Sequence, residues 1–549
     1  MSYREIVRIL GLNFLLLSLI IWIPLLIAAY YQFYASPTEN PQPHSTLAFF
    51  ETFVICLALG ASCIVLGRKS IEKINRKDIL VIIACLWFIT PGIAALPFLL
   101  SGTLTNPFQA YFEMTSGLTR TGATILEEKH YNADTGEEIA ITKVAHNGYD
   151  THYSYYGTVA PVRNPVNYEV KHEGFEAVSK ALLLWRSLVQ WMGGFGVIVL
   201  FVAVLPSTFS GKFFFQPEIV GPPRDSLIPR VARAALQLAI VYLILSSLQI
   251  ALLKLTNMEM SWLDVFAVTF STISGGGFCL HKSNIGYYQN VHTEWIVALF
   301  MVLGGTNFTI YYYLFRGKFY RIVKTEFFLY LITLFISCCL GVWFLVGAKK
   351  VLTQGNGAGE GLFSFAEAVR YGIFQIISSQ TTTGFATANY ITWPYTFQSL
   401  MLILTFVGAM SGSTSGGIKL IKEYIFFSIA RLKSESLFLT EPVRQYKIKG
   451  QVIDSEVVTS VFCIALMWFL GTTIGTFLFI VDGVDQQTSL GLAACMINNS
   501  GITFHLAWPT GNCAFLSNFS LIVSSILMIL GRLEFFAILA LLVPAFWKD

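Results

Sequence analysis

The segment FEMTSGLTRTGATIL, residues 112–126, decides the fold, because it is one of four short Gly/Thr/Ser/Asn-rich runs that each follow an amphipathic stretch between two long hydrophobic spans. The other three runs are FSTISGGGF (270–278), FQIISSQTTTGFATANY (374–390) and ACMINNSGI (494–502). Backbone carbonyls exposed by such turns can replace the hydration shell of a monovalent cation when several turns converge on one axis. Four such turns in one chain therefore predict one pore.

The composition is that of a membrane protein. Of the 549 residues, 54% are hydrophobic and only 12% are charged, and the mean hydropathy is +0.62, whereas soluble domains carry about 25% charged residues. The first hydrophobic stretch, Leu10–Tyr34, is too long for a cleaved secretory signal, so we expect it to remain as a span. The nine cysteines have no CxxC spacing and indicate neither a disulfide framework nor a metal site.

Hydropathy predicts ten membrane spans, since each needs roughly 17–25 apolar residues. They are Leu10–Tyr34, Leu47–Leu66, Ile79–Leu100, Ala181–Leu205, Val231–Leu255, Trp295–Leu314, Phe327–Val346, Phe397–Ala430, Val457–Val481 and Phe519–Phe546. Shorter hydrophobic pieces before each Gly-rich run predict re-entrant pore helices at Phe108–Leu118, Trp262–Ile273, Phe365–Ile377 and Thr488–Ile497. The expected fold is an all-α integral membrane protein with four tandem units of span, pore helix and span around one central pore, preceded by two extra transmembrane helices.

This repeat divides the chain into five segments. They are 1–75 for the two N-terminal helices, 76–210 for the first pore unit, 211–318 for the second, 319–452 for the third, which has a broken inner helix, and 453–549 for the fourth. The first interval between turns exceeds the others by roughly 40–50 residues. A polar, Tyr-rich insertion at about 127–180 accounts for the excess, and we expect it to be an extracytoplasmic elaboration.

The distribution of Lys and Arg among the loops predicts the orientation. Basic residues are dense at Arg68, Lys69, Lys73, Arg76 and Lys77, at Arg316, Lys318, Arg321 and Lys324, and from Lys419 through Lys449. By the positive-inside rule these segments face the cytoplasm. With ten spans, both termini are then cytoplasmic and all four turns open to the outside.

Five motifs resemble one known family. They are SGLTRTGATIL (116–126), WRSLVQWMGGFGVIVLFVAVLP (185–206), TTTGFAT (381–387), GAMSGSTSGGIK (408–419) and LGRLEFFAILALLVPAFW (530–547). In this order they resemble the Trk/Ktr/HKT superfamily of potassium transporters, with bacterial TrkH as the nearest branch, over almost the whole chain. The resemblance implies K⁺ uptake through a gated, channel-like pore in the bacterial inner membrane, a homodimer, and a cytosolic TrkA-like nucleotide-binding ring as the gating partner.

The residues themselves suggest how a filter could work. Uncharged carbonyl oxygens can surround a dehydrated K⁺ without trapping it. We assign to the lining Thr121 and Gly122, Gly276 and Gly277, Thr383 and Gly384, and Ser500 and Gly501, with the carbonyls of Arg120, Gly275, Thr382 and Asn499 one layer further in. Any one of these glycines alone could be an ordinary helix C-cap or tight turn. Four in register favour the filter.

Charged residues near the turns need separate interpretations. Arg120 stands where the family usually has an uncharged residue, so we expect its side chain to point away from the axis and to pair with a carboxylate such as Glu113. The acidic residues associated with the half-helices are expected to be caps or packing partners rather than ion ligands. They are Glu113, Asp264, Glu367 and Asp485.

The interruption Gly408–Gly417 breaks a predicted span at membrane depth, where non-helical backbone is tolerated only if it lines a cavity or is buried in protein. It is a candidate gate, and a kink that relieves packing is the alternative. The candidate gate residues are Gly408, Ser411, Gly412, Ser413, Thr414, Ser415, Gly416, Gly417, Lys419, Arg532 and Glu534. The resemblance implies that the Arg of GRLE anchors this loop, which gives Arg532 the role of donor to loop carbonyls and Glu534 a supporting role.

Other function classes are less compatible with the sequence. It contains no HExxH, P-loop or GxGxxG motif, so we expect no enzyme, no catalytic residue, no organic cofactor and no nucleic-acid partner. A secondary transporter that couples K⁺ to H⁺ or Na⁺ is the first alternative, but it would need a titratable or second-ion site at the midplane. A membrane receptor that uses the insertion as its binding module would not need four filter-like turns.

Overall fold

A computed structural model describes residues 3–35, 42–68, 75–132, 135–146, 150–163, 170–204, 227–315, 317, 326–350, 361–435, 437–438, 447–448, 451–452, 455–507 and 512–548. Its helices are α1 (Tyr3–Phe33), α2 (Thr46–Leu66), α3 (Arg76–Ala94), α4 (Leu96–Leu100), α5 (Pro107–Leu118), α6 (Lys180–Val204), α7 (Leu227–Thr256), α8 (Trp262–Ser274), α9 (Val291–Gly304), α10 (Phe308–Phe315), α11 (Phe327–Leu345), α12 (Phe365–Glu367), α13 (Ile373–Gln380), α14 (Tyr395–Val407), α15 (Leu420–Glu435), α16 (Ser455–Val481), α17 (Gln486–Asn498), α18 (Asn518–Arg532) and α19 (Phe536–Leu542). A π-helical turn, Ala368–Gly372, joins α12 to α13.

The described residues also form short antiparallel hairpins. Their strands are β1 (His130–Tyr131) with β2 (Glu138–Ile139), β3 (Ile141–His146) with β4 (Asp150–Tyr155), β5 (Val162–Arg163) with β6 (Val170–His172), β7 (Lys349–Lys350) with β8 (Gly361–Leu362), and β9 (Lys447–Ile448) with β10 (Gln451–Val452). The first three hairpins form the predicted polar insertion. It packs onto the start of α17, where Tyr153 Oη donates to Asp485 Oδ1 at 3.1 Å.

Six helices of the described chain are long and apolar enough to cross a membrane, or seven if α9 and α10 form one bent span. The six segments are Tyr3–Phe33, Thr46–Leu66, Lys77–Leu100, Ala235–Thr256, Phe327–Leu345 and Val458–Val481. A further predicted span, Ala181–Leu205, corresponds to α6, and its last residue lies outside the described ranges. The protein is therefore an all-α multi-pass membrane protein, as the sequence predicts.

Three predicted spans are not continuous helices. The interruption predicted after Val407 is present, because the chain is non-helical from residue 408 to residue 419; we call this segment the intramembrane loop. The predicted span Trp295–Leu314 is bent, since α9 and α10 meet at 92°. The predicted span Phe519–Phe546 is interrupted, because α18 ends at Arg532, and Glu534 and Phe535 have φ of 53° and 64° before α19 begins.

The bend between α9 and α10 has a local cause. The side chain of Asn307 accepts a hydrogen bond from Thr309 N at 2.9 Å, so it starts a new helix within an apolar stretch. Hydropathy alone cannot detect this break, because apolar segments lie on both sides of the short run Gly304–Asn307.

Four half-helices form before the Gly-rich runs, within one to three residues of their predicted bounds. They are α5, α8, the α12–α13 segment and α17. Each begins at a side chain that accepts a backbone N–H, as expected for helix N-caps. The caps are Asn106, Ser261, Ser364 and Asp485.

Some predictions concern residues outside the described ranges. Among the basic loop residues, these are Lys69, Lys73, Arg316, Lys318, Arg321, Lys324, Arg444 and Lys449. The boundaries of the five segments and the orientation of the termini therefore stay predictions.

Candidate functional site

The four Gly-rich turns repeat one backbone conformation. Each half-helix ends at a residue in the left-handed region, and a glycine of positive φ follows two positions later. The left-handed residues are Arg120, Gly275, Thr382 and Asn499, with φ of 55°, 71°, 54° and 49°. The glycines are Gly122, Gly277, Gly384 and Gly501, with φ of 85°, 76°, 85° and 62°. A side chain at such a glycine would be strained, so glycine is the natural residue there.

The residue before each glycine ties the turn to its own half-helix by donating its N–H to the carbonyl five positions earlier. These bonds are Thr121 to Ser116 at 2.8 Å, Gly276 to Ser271 at 2.8 Å, Thr383 to Ser378 at 2.9 Å and Ser500 to Cys495 at 3.2 Å. The same bond in all four turns makes the four turns structural repeats.

The four turns close into a ring in chain order. A Cβ atom on each glycine would collide with a carbonyl oxygen of the next turn, and the fourth turn returns to the first. The distances are 2.2 Å from Gly122 to Gly276 O, 2.1 Å from Gly277 to Thr383 O, 2.6 Å from Gly384 to Ser500 O and 2.6 Å from Gly501 to Thr121 O. We call this arrangement the glycine ring. It brings together all twelve residues that the sequence assigns to a filter.

Side chains behind the ring fix the first and third turns in the same way. The Ser116 hydroxyl donates to Ala123 O at 2.6 Å, and the Ser378 hydroxyl donates to Phe385 O at 2.7 Å. In both turns two threonine hydroxyls, one on each side of the left-handed residue, lie 2.8 Å apart. These serine and threonine hydroxyls therefore form hydrogen bonds within their own turn.

A buried glutamine supports the second turn. Gln190 on α6 donates from Nε2 to Gly276 O at 2.8 Å and accepts from Phe278 N at 3.2 Å. Sequence reasoning missed this residue, although a lone amide side chain in the apolar segment that forms α6 could have indicated it. Buried amides require partners, and here the partner is the turn.

The fourth turn is held by two asparagines. Asn499 donates from Nδ2 to Thr121 Oγ1 at 3.0 Å, which links the fourth turn to the first, and also to Met528 O at 2.9 Å. Its neighbour Asn498 accepts from Trp468 Nε1 at 2.9 Å. These contacts fix the turn against α16 and α18.

The predicted pairing of Arg120 with Glu113 is wrong. Glu113 is fully buried and pairs with Arg186 of α6, whose Nη2 lies 2.6 Å from Glu113 Oε1. Glu113 also accepts from Ile125 N at 2.8 Å, so it fastens the outer part of the first turn. Arg120 instead donates from Nη1 to the carbonyls of Gly275 at 2.7 Å and Ser274 at 3.0 Å. The pairing fails because the guanidinium reaches sideways to the second turn.

The other three predicted carboxylates lie at the starts of half-helices. Asp485 is the N-cap of α17, and Glu367 forms a capping box with Ser364. Asp264 lies in the first turn of α8 and accepts from His281 Nε2 at 3.1 Å. Burial raises the pKa of Asp264, but hydrogen bonds from His281 and Ser261 outweigh it, and the pKa is below its usual value.

The intramembrane loop lies directly against three of the half-helices on the side of their C-terminal ends. Gly416 N donates to Thr382 Oγ1 at 2.6 Å, and Gly417 N donates to Asn498 O at 3.2 Å. The Thr414 hydroxyl donates to Ile273 O at 3.1 Å. The polar residues Ser411, Ser413, Thr414 and Ser415 of this loop are buried. Buried non-helical backbone at this depth is consistent with a segment held in protein rather than in lipid.

Residues at the break between α9 and α10 form hydrogen bonds with the same loop. Met410 N donates to Gly305 O at 3.2 Å, and Phe308 N donates to Gly412 O at 3.2 Å. Glu326 contributes as well, because its carboxylate accepts from Ser411 N. Sequence reasoning missed these contacts, since a bend in an apolar span and an acidic residue at a helix start gave no distinct pattern.

Cationic side chains surround the loop. Arg532 donates from Nη1 to Thr414 O at 3.3 Å, and Lys419 Nζ donates to the carbonyl and hydroxyl of Ser415. Glu534 pairs with Lys422, with Nζ 2.6 Å from Oε2. Arg532 thus lies where the sequence places a donor to loop carbonyls, while the roles of these residues in gating stay predictions.

These features define a class: integral membrane proteins in which four half-helices surround one ring of glycine turns, with a buried loop beside it. Comparison with known proteins agrees, because the family model described as TrkH, cation transport protein, matches residues 170–548. The chain belongs to this family.

Relatives and a solved structure support the same assignment over the full length. The Trk system potassium uptake protein TrkH of Salmonella typhimurium is 27% identical over 560 residues, and that of Halomonas elongata is 28% identical over 564 residues, each with 100% of both chains covered. The crystal structure of the potassium transporter TrkH from Vibrio parahaemolyticus aligns with a TM-score of 0.79 at 25% identity, covering 100% of both chains.

Proposed function

We propose that this protein is a gated, K⁺-selective pore that mediates potassium uptake across the bacterial inner membrane. The observation that carries the proposal is the closed glycine ring, in which each glycine packs against a carbonyl of the next turn. The relatives named as potassium uptake proteins support K⁺ as the ion.

The proposed filter uses neutral oxygens. The carbonyls of Thr121, Gly276, Thr383 and Ser500 form one layer, and those of Arg120, Gly275, Thr382 and Asn499 form the next. Carbonyl dipoles replace water around K⁺ and still release it. The four half-helices end at the ring, so their C-terminal partial negative charges also favour a cation, by about 0.3–1 kcal/mol each.

The intramembrane loop is the proposed gate. It contacts the half-helices near the ring, and Arg532 donates to its carbonyl at Thr414. Because α9–α10 and Glu326 also hold it, a movement of these elements would release it. Lys419 and Glu534 support the same region, through Ser415 and Lys422 respectively.

The larger assembly belongs to the same proposal. The five segments fall into two leading helices and four pore units, with both termini in the cytoplasm and the chain surrounded by membrane lipid. The basic cytoplasmic segments would dock a TrkA-like nucleotide-binding ring on a homodimer. If this ring neither co-purifies with the protein nor changes its flux with nucleotide, the regulatory part of the proposal is lost.

Ion flux into liposomes that contain only this protein tests the central proposal. We expect K⁺ and Rb⁺ to pass down their gradients and Na⁺ and Li⁺ to pass less well, with protein-free liposomes as the control. Equal Na⁺ and K⁺ flux would refute K⁺ selectivity. Accumulation of K⁺ against its gradient, driven by an imposed H⁺ or Na⁺ gradient, would instead establish a coupled transporter.

A further inference from the structure

The four turns carry different side chains at their equivalent left-handed positions. Those positions hold Arg120, Gly275, Thr382 and Asn499. Thr382 contacts the intramembrane loop, since its hydroxyl accepts from Gly416 N at 2.6 Å. Asn499 reaches the inner helix α18 at Met528 O. Side chains at these positions therefore extend toward the loop and the inner helices, and Arg120 is the one cation among the four.

The guanidinium of Arg120 lies between the second turn and the intramembrane loop. Its Nη1 is 2.7 Å from Gly275 O and 3.0 Å from Ser274 O. On the other side, a Cβ atom on Gly416 would lie 3.3 Å from Arg120 Nη2. The side chain is 0% exposed. It thus fills the space at the end of the filter that faces the loop.

No carboxylate of the described residues neutralises this charge. Glu113, the nearest candidate in the sequence, is paired with Arg186. Arg120 Nε and Nη2 have no hydrogen-bond partner among the described residues. A buried charge is costly unless it is paired, and here the oxygens that face it are backbone carbonyls at the C-terminal end of α8. Such oxygens carry the partial negative charge of a helix end.

We infer that the Arg120 guanidinium is a tethered cation that occupies the inner end of the filter and limits the rate at which K⁺ passes. The inference rests on the proposed function, because Gly275 O is one of the oxygens assigned to that end. Arg120 Nη1 lies within hydrogen-bond distance of Gly275 O, at 2.7 Å. The guanidinium and K⁺ therefore compete for the same oxygen. Two like charges a few ångströms apart repel strongly in a protein interior, and K⁺ therefore leaves the filter against a fixed positive charge.

A purely structural tie between the first and second turns is the competing interpretation. The two interpretations predict opposite changes in K⁺ flux when the charge of Arg120 is removed. If Arg120 only holds the turns together, every replacement weakens the filter and lowers flux. If it competes with K⁺, removal of the charge raises flux, whereas a replacement that keeps the charge does not.

The test compares three variants with the wild type in liposome K⁺ flux and in K⁺ binding by titration calorimetry of the purified protein. Arg120→Thr copies the third turn and is expected to raise flux by roughly tenfold and to tighten K⁺ binding. Arg120→Lys keeps the charge and is the matched control, with flux no higher than that of the wild type. Thr382→Arg places a second cation in the third turn and is expected to lower flux by roughly tenfold.

The outcomes separate the two levels of the proposal. If the wild type passes K⁺ but Arg120→Thr has equal or lower flux and unchanged K⁺ affinity, the tethered cation is overturned and the proposed pore stands. Absence of K⁺ flux in the wild type and in all variants would overturn the proposed function itself. If Arg120→Thr does not fold, as judged by gel filtration and thermal unfolding, Arg120→Gln provides a neutral side chain that retains hydrogen-bond donors, and the same two measurements decide.

Discussion

The first and third turns have the same backbone conformation, but the first carries charged side chains where the third carries neutral ones. Both follow the pattern Thr-x-Thr-Gly. In both, the hydroxyl of a serine six positions before the glycine donates to the carbonyl of the residue after the glycine, at 2.6 and 2.7 Å. Nine positions before the glycine, however, the first turn has Glu113 and the third has Gln375. At the left-handed position the first has Arg120 and the third has Thr382.

This difference teaches which part of the sequence specifies the ring. The positive-φ glycine is common to all four turns, and the first and third turns adopt the same conformation regardless of the charges around them. The charged residues of the first turn are then free to serve other purposes. Glu113 with Arg186 fastens the first turn from behind, and Arg120 reaches the second turn at its inner end.

The largest expected effect comes from substitutions of the ring glycine, which should disrupt the first and third turns equally. Gly122→Ala and Gly384→Ala each place a Cβ atom against a carbonyl of the next turn, at 2.2 Å and 2.6 Å, and in a left-handed conformation. We expect both variants to fold and to lose measurable K⁺ flux in liposomes, because the ring must open to admit the methyl group.

Gly117→Ala is the matched control for these variants. This glycine lies five positions before Gly122 within α5, and its Cβ would meet neighbouring atoms at 3.4 Å, an ordinary contact. It should retain flux. Wild-type flux in Gly122→Ala would show that the first turn does not line the pathway, and the equivalence of the two turns would fail.

The second prediction concerns the intramembrane loop, which lies near both the first and the third turn. Deletion of Gly408–Gly417, or Arg532→Ala, should raise K⁺ flux by roughly tenfold, since each removes the obstruction or a donor that holds it. Liposome flux with purified protein measures this. A deletion variant that elutes and unfolds like the wild type but passes no more K⁺ would mean that the interruption is a structural kink.

The third prediction separates the turns by their buried charge. Glu113→Gln leaves Arg186 buried without its partner, so we expect a loss of about 3–5 kcal/mol in unfolding free energy. Gln375→Ala in the third turn should cost only about 1–2 kcal/mol, because it removes one long hydrogen bond, 3.4 Å, to Phe385 O. Chemical unfolding in detergent compares the two.

A double variant checks the cause of that loss. Glu113→Gln with Arg186→Met removes the unpaired charge and should recover part of the stability. If the double variant is less stable than Glu113→Gln alone, the ion pair is not what distinguishes the first turn from the third.

The smallest expected effect concerns the carboxylate at the start of the second half-helix, in contrast to the buried Glu113. The pKa of Asp264 is lowered in the folded protein, so its ionised form stabilises the fold above its unfolded pKa of about 3.9 and this contribution is lost as the pH falls through the folded value. Asp264→Asn should therefore cost about 1 kcal/mol at neutral pH and progressively less as the pH falls below the unfolded pKa of about 3.9. A cost that does not change with pH would contradict the assignment.

The sequence predicts much of this architecture because its signals are local. Hydropathy finds the six long apolar helices, and the Gly-rich runs find the four half-helices within one to three residues. The residues assigned to the lining lie together in the glycine ring, while their role as an ion filter stays a prediction. The family resemblance points to Arg532 as a loop contact, and the structure shows it at Thr414 O.

What the sequence misses depends on long-range partners. The Glu113–Arg186 pair joins residues that are 73 positions apart, and a reading along the chain offers Arg120 as the closer cation. Gln190, Asn307 and Glu326 support the ring or the loop, but none of them belongs to a motif that repeats along the chain. Their partners are backbone groups of other elements, which no pattern along the chain reveals.

Anomalous diffraction from crystals grown with Rb⁺ in place of K⁺ tests the central claim most directly. We predict a peak on the axis of the glycine ring, surrounded by the carbonyls of Thr121, Gly276, Thr383 and Ser500, and no such peak in Gly122→Ala. An empty ring in the wild-type protein, with Rb⁺ bound elsewhere in the chain, would contradict the claim that these four turns form the ion pathway.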